Sequence, residues 1–245
     1  MTVIVRLSKP LMSPAATAGR SNRALRFFEA TIVKKAVMAV TGLVLFGFVI
    51  GHLLGNLQVF LGPERLNAYA AFLKGNLELL WTTRIVLLVC VTAHIVVTIQ
   101  LAQLKSKARP AGYAKKNNAH SSLASRTMYY TGPMIAAFVI YHLLHLTVGA
   151  VHPEFSDTDV YANVVYGFQQ WPVSIAYVVA IGFLCLHLNH GIYSMFQTLG
   201  LAHPVWTPRI KRAAAAISIL LFLGYVSIPA AVLTGIVALS GPVHL

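Results

Sequence analysis

Five long apolar runs, separated by short stretches that hold nearly all the charge, constrain this chain more than any other feature. They lie at about residues 35–61, 83–104, 128–150, 172–200 and 213–239, and no charged residue occurs from Val160 to Thr207. About 20 apolar residues cross the hydrocarbon core of a bilayer as a helix, so each run is long enough to span. Of the 245 residues 57% are hydrophobic and 10% charged, against about 25% charged in soluble domains. The fold expected is all-α, an integral membrane bundle of five transmembrane helices over residues 33–240, preceded by a cytoplasmic N-terminal tail at 1–32. Within that tail Asn22 to Phe28 is expected to form a short amphipathic surface helix.

The net charge of +13 raises nucleic acid as a partner, but the basic residues fall between apolar runs rather than in one patch, which excludes it. Their placement orients the bundle. Seven lie in the tail through Lys35, six from Lys105 to Arg126 and three from Arg209 to Arg212, sixteen of the nineteen Lys and Arg residues. The connection after the third run carries Glu154, Asp157 and Asp159 instead. Basic connections stay inside, so the N-terminus is expected in the cytoplasm and the C-terminus outside. Cys90 and Cys185 both fall inside apolar runs, and no C-x-x-C or C-x-x-C-H occurs. That argues against a structural disulfide, a zinc ribbon, an iron–sulfur cluster or covalent c-type haem.

Six of the ten histidines, His52, His94, His142, His145, His187 and His190, lie inside apolar runs. An ionisable side chain within a membrane is costly and marks a functional candidate. Core residues bonded to backbone, a proton relay and axial ligation of haem b are the competing readings. A relay ordinarily needs carboxylates, and no Asp or Glu lies inside any run. Bis-histidine haem needs none, and histidines on four of five spans suffice for two haems in a bundle core. Depth sorts the pairs. At about 1.5 Å per residue, His52 lies roughly 25 Å above Lys35 and His142 roughly 24 Å above Arg126. His94 is roughly 16 Å from Lys105, and His187 descends roughly 22 Å from Pro172. His94 with His187 therefore forms the expected inner pair, and His52 with His142 the outer pair. His145 and His190 each sit three residues after a proposed ligand and face nearly the same side. On these grounds either exchanges with its neighbour as ligand, or bonds a haem propionate, a quinone or a backbone carbonyl.

Three stretches carry a resemblance. They are Lys34-Lys35 with Thr41-Gly42 and Gly51-His52-Leu53-Leu54-Gly55-Asn56; Ser125-Arg126-Thr127-Met128 with Thr131-Gly132 and Tyr141-His142; and His187-Leu188-Asn189-His190-Gly191 running to Gly200. Together they resemble the cytochrome b membrane-anchor subunit of succinate dehydrogenase and fumarate reductase, in its single-chain, five-helix, dihaem b558 form. The resemblance covers about residues 31–240. It implies axial ligands at His52, His94, His142 and His187, with two haem b groups, and its register favours His142 over His145 and His187 over His190. It also implies a quinone, menaquinone being the one expected, partner flavoprotein and iron–sulfur subunits docked on the basic face, and a bacterial cytoplasmic membrane. The dicarboxylate site would lie in those partners, and no catalytic residue is assigned to this chain. Arg126 is a candidate partner of a haem propionate, since guanidinium binds carboxylate in bidentate fashion. Some relatives carry a Glu two residues before the fourth-span ligand; here that position is Cys185. Glu78 is the nearest candidate for a carboxylate beside the quinone, and reads first as an interfacial charge. The alternatives are the dihaem anchor of another quinone-linked oxidoreductase and a haem-free transporter.

Overall fold

The computed structural model describes residues 30–108 and 123–239, so the expected surface helix at Asn22 to Phe28 lies outside the described residues. Those described are helical, without a strand among them. Five long helices match the five apolar runs: α1 (Thr31–Asn56), α3 (Leu77–Lys107), α4 (Leu123–Leu146), α6 (Trp171–Thr198) and α7 (Thr207–Leu233). Two shorter ones, α2 (Pro63–Gly75) and α5 (Val160–Gln169), stand in segments expected only to connect.

Local chemistry sets the ends. After α1 the chain tightens into a 3₁₀ turn, Leu57–Leu61, and stops at Gly62, whose φ of 92° suits a residue without a Cβ. Pro63 then opens α2, with Glu64 in its first turn and Lys74 in its last, each sign favourable at that end of the helix dipole. Pro172 and Pro208 occupy the first turns of α6 and α7, whereas Pro133 and Pro229 lie inside α4 and α7. Asp159 caps α5 by accepting from Ala162 N at 2.9 Å and also accepts from Asn67 Nδ2 of α2 at 2.9 Å. Asn67 Oδ1 in turn accepts from Tyr161 N. That reciprocal set, with Lys74 Nζ donating to the Asp157 carbonyl, ties α2 to α5 across one end of the bundle.

Burial is arranged for an apolar surround. Helix α3 has no buried residue along its 31 positions, and Leu88 and Val89 on it are 66% and 62% exposed. Exposure on that scale is untenable in water and ordinary against lipid, where hydrogen-bonded helices show apolar side chains to the solvent. Thr31–Leu61, Leu77–Lys107, Trp171–Thr198 and Thr207–Leu233 are long and apolar enough to cross a membrane. Helix α4 has the length, 24 residues or about 36 Å. Thr131, Pro133, Tyr141, His142 and His145 interrupt its apolar run, so that no long stretch of it is as apolar as those four.

Two packed regions hold the bundle. One, at the end closed by α2 and α5, gathers Val59, Leu66, Val165, Phe168, Tyr177 and Ile228. The other joins α1, α6 and α7 through Leu53, Ile181, Cys185 and Leu221. Helix α1 packs on α3, α4 on α6, and α6 on α7, but α1 and α4 make no extensive contact, nor do α3 and α6. Aromatic rings sit against cations near helix ends: Arg84 on Trp81, Lys105 on Tyr129, Lys211 on Tyr193 and Arg209 on Trp206. Tyr130 and Trp171, exposed at 73% and 67%, occupy the same kind of end position, as expected for an interfacial belt.

Replacing Asp159 by Ala removes the α5 cap and one strap to α2 together. The expected loss is about 1–2 kcal/mol, read as a lower thermal midpoint in detergent; an unchanged midpoint would show that the cap does not hold this end.

Candidate functional site

The six membrane histidines sort themselves by helix. His52 on α1 faces His142 on α4, with ring centroids 5.7 Å apart and planes at 87°. His94 on α3 faces His187 on α6, at 6.4 Å and 60°. Each pair bridges two helices that otherwise scarcely touch. Two metal–imidazole bonds of about 2 Å each, with the ring radii added, separate centroids by about 6 Å. Among the described residues no group of three or more His, Cys, Asp or Glu side chains converges, and a bare ion ordinarily takes more protein ligands than two. Paired imidazoles in a slot between helices suit a metal whose remaining ligands come from a flat macrocycle.

The inner pair is held from behind in the same way on both sides. Thr41 Oγ1 on α1 donates to the Val37 carbonyl at 2.7 Å and lies 3.1 Å from His94 Nδ1. Thr131 Oγ1 on α4 lies 3.4 Å from the Met128 carbonyl and 3.3 Å from His187 Nδ1. A hydroxyl has one proton. With that proton committed to the carbonyl, each oxygen accepts from the imidazole, which places the ring proton on Nδ1 and leaves Nε2 with its lone pair. Such a bond on one ring nitrogen decides which nitrogen can bind a metal. Gly42, next to Thr41, keeps the approach open, since a Cβ there would stand 3.4 Å from His94 Cε1.

At the outer pair a tyrosine replaces the threonines. Tyr177 Oη on α6 lies 3.2 Å from His142 Nδ1 and 3.0 Å from His145 Nδ1. His52 is stacked on Phe48 at 5.3 Å, with Tyr225 at 6.4 Å. His52, Asn56, His142, Phe168, Tyr177 and Tyr225 line one cavity.

His145 and His190 part company here. His145 is wholly buried, stacked on Tyr141 at 5.6 Å and on His152 at 4.9 Å. Its Nε2 has no hydrogen-bond partner. His152 is itself satisfied, Nε2 donating to the Asn163 carbonyl at 2.8 Å and Nδ1 accepting from Glu154 N at 3.1 Å. His145 thus belongs to the packed end of the bundle, behind His142 and not opposite His52. His190, one turn past His187, has Ser194 Oγ 3.3 Å from its Nε2. Arg126 is exposed in the first turns of α4, five residues or about 7–8 Å before Thr131, at the inner pair's end of that helix. Glu78 lies in the first turn of α3, a favourable place for any acidic side chain. Gly47, Gly51 and Gly55 recur at every fourth residue along one face of α1; Gly55 receives the Tyr69 ring, while Gly47 and Gly51 have open space beside them.

Thr41, Thr131 and Tyr177 are the functional candidates that sequence reasoning did not single out as partners of the imidazoles. A signal for the threonines exists: Thr41-Gly42 precedes His52, and Thr131-Gly132 precedes His142, by the same eleven residues. Each helix therefore carries one pair's histidine and, about 16 Å away, the hydroxyl that supports the other pair. Tyr177 leaves no such trace, because its partners lie on another helix.

Gly167 of α5 lies against the buried rings. A Cβ there would stand 2.8 Å from His145 Cε1 and 3.2 Å from His152 Nε2, so Gly167→Ala is expected to cost about 1–3 kcal/mol by overpacking. Gly182→Ala on α6, where the nearest atom is Phe222 Cε2 at 3.9 Å, is expected to leave the thermal midpoint level or slightly higher. Equal midpoints for the two variants would refute this packing.

The family model of the succinate dehydrogenase/fumarate reductase transmembrane subunit matches residues 105–226. That span contains Thr131, His142, His145, Tyr177, His187 and His190, and leaves His52 and His94 outside it. No curated protein and no solved structure matches the chain. With its long apolar helices, this is a multi-pass membrane protein, and it belongs to the family of the transmembrane subunits of succinate dehydrogenase and fumarate reductase.

Proposed function

We propose that this chain is the electron-transferring anchor of a succinate:quinone oxidoreductase, holding two b haems between five membrane-spanning helices. The observation that carries the reading is the pair of facing imidazoles at each of two levels, each set between helices that leave a slot. Helix α4 is the fifth span. Its polar positions are those that the site uses, Thr131 and His142, or that close the end of the bundle, Tyr141 and His145. The N-terminus lies in the cytoplasm and the C-terminus outside, of a bacterial cytoplasmic membrane.

When bound, the two haems supply one-electron redox chemistry between an iron–sulfur subunit and membrane quinone, for which menaquinone is the expected species. This chain's residues bind and orient. His94 and His187 offer Nε2 at the inner level because Thr41 and Thr131 hold their Nδ1 protons. At the outer level His52 and His142 face each other as the second ligand pair. Arg126, exposed in the first turns of α4, is the residue assigned to a propionate at the inner level, and His190, one turn nearer that end, is a second polar contact there. His145 acts from behind His142. The basic inner face, with Lys105, Arg126, Arg209 and Lys211, receives the iron–sulfur and flavoprotein subunits, which hold the dicarboxylate site.

Purified complex should give a reduced-minus-oxidised spectrum with a b-type α-band, and a pyridine haemochrome assay should return two haems per chain. His52→Ala and His142→Ala should each lose one, and His145→Ala should keep both. One haem per chain in the wild type, or loss of a haem in His145→Ala with both retained in His142→Ala, would overturn the assignment.

A further inference from the structure

Tyr177 stands between two imidazoles with a single proton to give. Its oxygen is 3.2 Å from His142 Nδ1 and 3.0 Å from His145 Nδ1. A phenol can donate to one of them and accept from the other. Two arrangements result. In one, Tyr177 donates to His142, whose proton then sits on Nε2, and that nitrogen is closed to a metal. In the other, Tyr177 donates to His145 and accepts from His142 Nδ1–H, which leaves His142 Nε2 as a lone pair on the ring facing His52.

The surroundings of His145 bear on the choice. The ring is fully buried between Tyr141, His152 and Gly167, so it cannot turn to present another atom. Its Nε2 has no partner, and His152 is already bonded at both nitrogens. A structural histidine would be expected to use both ring nitrogens. This one makes a single hydrogen bond, to the hydroxyl behind the outer pair.

We propose that His145 and Tyr177 are positioning residues for His142. His145 takes the phenolic proton, and Tyr177 thereby presents a lone pair that fixes His142 as the Nδ1–H tautomer and raises the basicity of its Nε2. Bonding of this kind to a ligand's far nitrogen orients the ring and strengthens it as a donor, and one hydrogen bond polarises the next. The inner level reaches the same end with threonine hydroxyls whose protons go to backbone carbonyls. The outer level, with a tyrosine in that place, requires a separate acceptor, and His145 is that acceptor. The inference rests on the proposed haem at His52 and His142.

The test is a redox titration of both b centres, followed at the α-band, in the purified complex. Tyr177→Phe keeps the ring and removes the oxygen. It should raise the potential of one centre, because a less basic imidazole favours the oxidised iron less, and weaken retention of that haem about 10-fold. His145→Leu should shift the same centre in the same direction by less. His145→Asn, whose Oδ1 stands near the position of Nδ1, should restore the wild-type value. The second centre should hold its potential in all three. If Tyr177→Phe retains only one haem, the His145 pair decides alone, since the phenol is then intact. Two haems with unchanged potentials in Tyr177→Phe, or the same shift in His145→Asn as in His145→Leu, would sink the positioning role and leave the haem assignment standing. A wild-type complex with fewer than two b centres would remove the assignment and this inference together.

Discussion

An imidazole inside a bilayer has two ring nitrogens and no water to satisfy them, and the arrangement of this molecule follows from that. A buried polar group without a partner costs about 1–3 kcal/mol, and six such rings would exceed what the packing of a small bundle tolerates. Here the far nitrogen of His94, His142, His145 and His187 is bonded to a hydroxyl on another helix. These are long-range bonds, and they fix how far each helix slides past its neighbour. The rings of His52 and His142, and of His94 and His187, are left to face one another across slots between α1 and α4 and between α3 and α6.

The slots explain an otherwise puzzling division of packing. Helices α6 and α7 pack closely, and Gly224 of α7 lies so near α1 that a Cβ would stand 2.8 Å from Leu53 Cδ2. On the other side, α3 buries nothing and holds to α1. A bundle built only to anchor would close α1 on α4 and α3 on α6 as well. Leaving those faces apart forfeits dispersion contacts, and the pairs of imidazoles stand where the contacts are missing. The α2 and α5 cap, tied by Asn67, Asp159 and Tyr161, then keeps the end nearest His142 and His145 from splaying.

Much of this was legible in the chain because hydropathy and charge are local properties. The five helices sit on the five apolar runs, and the pairing expected from depth is the pairing of nearest rings. Depth works because a helix rises by a constant amount per residue, so a sequence number is also a height. Other features were not local. Helix α5 begins within the acidic connection, and its apolar face is defined by what covers it. Tyr177 is one aromatic among many apolar neighbours until α4 is set beside it. The choice between His142 and His145 was open to sequence for the same reason: residues three apart share a face, and burial by α5 and His152 separates them.

The repeated interval from Thr-Gly to His on α1 and α4 shows how two levels can be built economically. Each of these helices contributes a ligand candidate at one level and a supporting hydroxyl at the other, about 16 Å away; Thr41 ties α1 to α3 at one height, while Thr131 and His142 tie α4 to α6 at both. Sliding α4 past α6 by a turn would break a bond at both levels at once. Between α4 and α6 two shallow constraints, each worth about 0.5–1.5 kcal/mol, thereby act as one steep constraint on register. That register bears on whether the paired rings meet, and it is held by hydroxyls that stand behind the rings.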